Sequence, residues 1–193
     1  MAQRKWKGVL VIMTGIKSKS AVLFSGAPII AAVYCATHIR RSDGLMLLLN
    51  VLILSFGYIA AIYDIREKRI PNKLILIMLA SWFVSIFPGL FINTGAVLPL
   101  VKDSLIGFLM GGGIFITIYL ISKKGLGGGD VKFIAAAGLY LGLNGCISTI
   151  LCGTLLSALV GLSLIMLKKI ERKTPIPLVP FLYIGILVTL FLL

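Results

Sequence analysis

The sequence predicts an all-α fold: a polytopic bundle of transmembrane helices, six to seven spans, with no soluble domain. Three observations carry that prediction. Of the 193 residues, 59% are hydrophobic and only 13% charged, and the mean hydropathy is +1.08, well above an ordinary soluble domain. Apolar runs recur at about the 20 residues that a bilayer core demands. Finally, the net charge of +13, from 19 Lys+Arg against 6 Asp+Glu, sits in short clusters between those runs, as the positive-inside rule describes. There is no basic helix face and no aromatic stacking surface, so nucleic-acid binding is set aside.

Taken in order, residues 1–19 form a basic cytoplasmic or interfacial segment. Their apolar piece, 8–16, is followed by Lys17 and Lys19 without a small-residue cleavage pattern, which argues against a signal peptide. Residues 20–193 form the membrane domain. Its expected spans are 20–37, 45–63, 74–92, 104–121, 131–145, 147–167 and 176–193, with a turn at Asn144-Gly145 cutting the fifth short. The basic connections around Arg66–Lys73, Lys123–Lys132 and Lys168–Lys173 then share the cytoplasmic side. If 20–37 does not cross, six spans remain and the later orientation is unchanged. This places the protein in the cytoplasmic membrane as a multi-pass chain in contact with lipid.

Gly107 and Gly111, Gly138 and Gly142, and the series Gly153, Ser157, Gly161 fall at helical spacing, which suits close helix packing in lipid. Cys35, Cys146 and Cys152 lie in apolar segments without a C-x-x-C pair and read as small hydrophobes. His38 is expected in a loop without ligand partners. No metal or cofactor is called for.

The acids are few enough to weigh singly. Asp43 and Asp103 fall in expected outer connections, and Glu67 and Glu171 lie inside basic clusters where a solvated ion pair suffices. Asp64 and Asp130 differ. Asp64 ends the run LSFGYIAAIY and opens DIREKRIPNK, so it stands at the C-terminal end of a long helix, where its charge is disfavoured. Ile70-Pro71-Asn72 then marks a break, with Asn72 a candidate N-cap for the next span. Asp130 follows Gly127, Gly128 and Gly129 and opens VKFIAAAGLYLG, so it lies at a helix N-terminus, where its charge is favoured. The glycines permit unusual backbone angles and close approach. No P-loop pattern is present.

Two acids on one membrane face, in opposed settings, suit an aspartic-protease dyad. One ionised carboxylate takes a proton from water, which attacks a carbonyl; the other, protonated, polarises that carbonyl. From the residues alone two other readings stay open. One is a proton-coupled transporter or channel using the same acids; the other is a structural subunit of a secretion machine.

Three segments also carry a family resemblance: DIREKRIPN at 64–72, GGGDVKFIAAAGLYLG at 127–142 and IPLVPFLYIG at 176–185. With them the chain resembles the type IV prepilin peptidases, membrane aspartic proteases of the GxGD class. The resemblance implies that Asp64 and Asp130 are catalytic. It also implies that Gly127, Gly129, Lys132, Pro71 and Asn72 support them, and that substrates are prepilins or pseudopilins with a basic leader before an apolar helix. Larger members carry paired C-x-x-C elements and also N-methylate their product. Lacking such pairs, this chain is similar to the short, peptidase-only branch associated with Flp-type (tight-adherence) pili; the archaeal preflagellin branch is the alternative. Because a basic leader is repelled by basic loops, acidic positions of the mature substrate are expected to meet Lys123, Lys124 or Lys132.

Overall fold

The structure, a computed structural model, describes residues 26–38, 43–122, 126–167 and 176–192. The expected segment 1–19, residues 20–25 of the first span, Arg40, Arg41, Lys123, Lys124 and the basic cluster from Lys168 to Lys173 lie outside them. Among the described residues six helices form: α1 (Gly26–His38), α2 (Gly44–Glu67), α3 (Asn72–Ile92), α4 (Thr94–Ile121), α5 (Gly128–Met166) and α6 (Val179–Leu192). Helices α2 to α5 are each long and apolar enough to cross a membrane.

The solvent-facing surfaces of these helices are themselves apolar. Leu76, Phe91, Leu109, Leu120 and Leu155 are all more than 60% exposed, whereas a bundle in water turns polar residues outward. Such a surface belongs in lipid. Inside, Ile53, Leu54, Met78, Phe115, Phe133, Leu182 and Ile186 are fully buried.

Helix α5 holds the expected fifth and sixth spans, and it is not straight. Gly142 has φ 65° and ψ −172°, a left-handed φ that glycine adopts without a Cβ penalty. Ile134 and Cys146 both border Gly111, and Gly138 and Gly142 both border Gly107. The two halves of α5 therefore lie side by side along α4, and the chain reverses at Gly142. The reversal comes two residues before the expected Asn144-Gly145 turn. Its reason is Asp103, whose Oδ1 accepts the Leu143 N–H at 3.2 Å and so caps the second half. Asp103 is thus not in a connection: α4 already begins at Thr94, capped by the Asn93 side chain, which accepts the Ala96 N–H at 3.4 Å.

Two polar ends result. Lys68, Asn72, Asp130 and Ile176 border a cavity at one end; Met46, Asp103, Gly142 and Thr189 border another at the opposite end. Successive helices alternate between these ends, with each half of α5 counting as one pass. Helix α1 runs toward the second end: Gly26 meets Tyr58, Tyr34 Oη accepts from Asn50 Nδ2 at 2.8 Å, and His38 meets Phe191. His38 is the last residue of α1 rather than a loop residue, held by stacking on Tyr34 at 4.3 Å. Among the described residues, Arg66, Lys68, Arg69, Lys73 and Lys132 fall at the Asp130 end, and Lys102 near the other.

Candidate functional site

Helix α2 delivers Asp64 in its last turn. The helix stops at Lys68, whose φ of 52° is left-handed and whose N–H bonds the Asp64 carbonyl at 2.9 Å. That stop leaves the Asp64 side chain turned inward, only 5% exposed. Ile70 is buried behind it, and Pro71 starts α3 with φ −63° and ψ 131°, its carbonyl accepting the Leu74 N–H at 3.0 Å. The expected N-cap role of Asn72 is therefore taken by Pro71, whose ring presets the φ this position needs. Asn72 occupies the first helical position and its Oδ1 accepts a hydrogen bond from Lys132 Nζ at 3.0 Å. That bond ties the start of α3 to the start of α5.

Helix α5 delivers Asp130 in its first turn, where the Asp130 N–H bonds the Gly127 carbonyl at 3.1 Å. Among the described residues only Gly142 is a glycine with positive φ, so unusual backbone angles are not what the glycine run supplies. Close approach is. A Cβ on Gly127 would stand 3.1 Å from Asp130 Oδ2, and one on Gly129 would stand 3.3 Å from Ile70 Cβ and 3.4 Å from Ile70 N. At Gly128 nothing lies within 4 Å. Gly129 thus lets the start of α5 press against the turn after Asp64, and Gly127 leaves space for the Asp130 carboxylate.

The third contributor is the start of α6. The Val179 N–H donates to Asp64 Oδ2 at 3.0 Å in a buried bond, and the Leu178 backbone adds a second. Pro180 falls in the first turn, where no N–H is needed. The expected contrast between the two acids is corrected by this arrangement. Asp64 does stand at the C-terminal end of its own helix, but the N-terminus of α6 points at its carboxylate. Each acid therefore faces helix N-terminal amides, and Asp130 is itself half-buried.

Asp64 and Asp130, 66 positions apart in the chain, border one cavity of about 430 Å³ and interact electrostatically. Gly127, Gly129, Asn72 and Lys132 also line it, and Pro71 stands at its edge as the N-cap of α3. Leu178 lines it too, and Val179 anchors Asp64; sequence reasoning did not single out either. The signal was in the sequence, since prolines at 177 and 180 mark a helix start, but a backbone amide carries no residue-type signature. Among the described residues no three His, Cys, Asp or Glu side chains gather. The cavity therefore offers two interacting carboxyls, oriented by amides and rimmed by the cations of Lys68, Arg69 and Lys132.

The profile of the Type IV leader peptidase family matches residues 51–162, more than half the chain and inclusive of both acids. The prepilin leader peptidase/N-methyltransferase of Xanthomonas campestris pv. campestris is 32% identical over 127 residues, 63% of this chain and 42% of that protein. The protein of the same description from Stutzerimonas stutzeri is 30% identical over 141 residues, 70% of this chain and 46% of that one. That from Bacillus subtilis is 28% identical over 163 residues, 80% and 60% respectively. The chain spans about half the length of the curated relatives it matches. No solved structure matches it. The match across the span that carries both acids identifies the chain as a membrane protein belonging to the Type IV leader peptidase family.

Proposed function

We propose that the protein is a multi-pass aspartic endopeptidase of the cytoplasmic membrane that removes the basic leader from prepilin-like proteins at the cytoplasmic face. The observation carrying this reading is the shared cavity of Asp64 and Asp130, built from the last turn of α2 and the first turn of α5. Two acids that feel each other's charge hold one proton between them most readily. The ionised carboxyl draws a proton from water as its oxygen bonds the scissile carbonyl carbon; the protonated one donates to the carbonyl oxygen. Collapse of that adduct breaks the C–N bond, and the proton taken from water passes to the leaving amine. Backbone amides of Leu178 and Val179 position Asp64 throughout. Gly127, Gly129, Pro71 and Asn72 shape the cleft and do not take part in proton transfer.

The orientation is supported by the gathering of Arg66, Lys68, Arg69, Lys73 and Lys132 at the cleft end. In this reading α1 and both halves of α5 each cross the membrane, giving seven spans. Lys132, at the cleft mouth, meets an acidic side chain of the mature substrate while the basic leader stays in water. The methyl transfer in the relatives' description is not part of this proposal. The test is co-expression with Flp-type prepilins. Leader loss should occur with the parent chain and vanish with Asp64→Asn and with Asp130→Asn, each inserted at normal abundance. Cleavage by either variant overturns the reading.

A further inference from the structure

A third cavity opens beside the cleft. It measures about 490 Å³ and lies between α3 and α4, with Ile75 and Leu79 on one wall and Leu109 and Ile116 on the other. Ala135, from the first half of α5, lies behind it. Leu79, Leu109 and Ile116 are 37%, 68% and 50% exposed, so this groove opens sideways toward lipid rather than toward water. Its upper end is polar at one point only. Lys132 borders both the groove and the carboxylate cavity, and Val131, the neighbour of Asp130, lines the groove as well.

One glycine makes the groove accessible to a helix. Gly107 and Gly111 are spent on packing against α5. Gly113 is not: a Cβ there would meet nothing within 4 Å, and it lines the open side. A small residue facing lipid lets another helix backbone come close. From Leu109 to Ile116 the wall runs about 10 Å at 1.5 Å per residue, two turns of a docked helix.

We infer that this groove receives the substrate's apolar helix, side-on from the bilayer, and hands the residues just before it to Asp64 and Asp130. The inference rests on the peptidase reading and adds where the substrate sits. Continuity fixes the occupant. Lys132 borders both cavities, so one occupant that is apolar along two turns can run on past it as an extended stretch and reach the carboxyls. A chain with a leader in water and a helix in lipid has that form; a lipid acyl chain does not reach the cleft as peptide.

The test uses a prepilin that the parent chain cleaves. A photoreactive benzoylphenylalanine is placed at Leu109 or Ile116 in the Asp130→Asn chain, with Leu155 on the second half of α5 as the control lipid-facing site. Covalent adducts with the prepilin helix are expected from 109 and 116 in clear excess over the yield from 155. Equal yields, as in a groove filled by lipid, or no adduct at all overturn the inference. In parallel, Gly113→Trp fills the groove from a position with free space around it. KM for the prepilin should rise about tenfold with kcat little changed, the signature of lost uniform binding. An unchanged KM sinks the groove and leaves the peptidase reading standing, whereas that reading fails only through the two aspartates.

Discussion

Val179 donates its backbone N–H to the carboxylate of Asp64 across 115 positions of sequence, at 3.0 Å and out of reach of solvent. The bond makes the start of α6 part of the cleft. Proline at 179 removes this donor while suiting the first position of a helix. Cleavage by Val179→Pro is expected to fall about 10- to 100-fold, the range for a hydrogen bond to a charged group, with helix content by circular dichroism unchanged. Full activity would mean that Asp64 is positioned by other groups.

The three glycines before Asp130 should separate sharply. Gly128→Ala places its methyl in open space and is expected to cleave at the parent rate. Gly127→Ala crowds the Asp130 carboxylate, and Gly129→Ala pushes the start of α5 off Ile70; each is expected to lose about tenfold or more in kcat, since small misplacements at a reacting centre are amplified. Steady-state rates on one prepilin decide it. Equal effects at all three positions would refute the close-approach argument.

Acidity should act on both limbs. At low pH both carboxyls are protonated and the base is lost; at high pH both are ionised and the acid is lost. The expected kcat profile is bell-shaped, its two limbs belonging to the pair rather than to one residue. A profile with one limb only, followed from strongly acidic to strongly alkaline buffer, would argue for a single working carboxyl.

The packing of α4 on α5 should be brittle. A Cβ on Gly107 would stand 2.5 Å from the Gly138 carbonyl oxygen and 2.6 Å from the Gly142 carbonyl, and neither is a side chain that can swing away. Gly107→Val is expected to destabilise the bundle by roughly 1–3 kcal/mol or more, read as a lower melting point in detergent. Gly113→Val, with nothing within 4 Å, should melt with the parent.

Much of this architecture was legible in the sequence, for definite reasons. Span positions follow from hydropathy, because lipid enforces length and composition. Asp64 and Asp130 stood out because an acid at the lip of an apolar run needs a reason to be there. What escaped were features made by distant partners. The Gly142 reversal depends on Asp103, forty residues earlier. Asn72 looked like a cap because Asn often is one, but Lys132 claims its side chain. The field around Asp64 was misjudged since only its own helix was visible, and α6 lies over a hundred residues away. Backbone amides, such as those of Leu178 and Val179, leave no trace in residue identity.

The first half of α5 ends at Gly142 after running only from residue 128, which gives it about 21 Å of rise. A bilayer's hydrocarbon layer is about 30 Å deep. Residues 133–140 are all buried, so this short stretch lies against neighbouring helices and is spared the length matching that lipid imposes on a helix it surrounds. The depth of Asp130 is therefore decided by how the start of α5 packs on its protein neighbours, Ile70 among them, and not by the thickness of the bilayer.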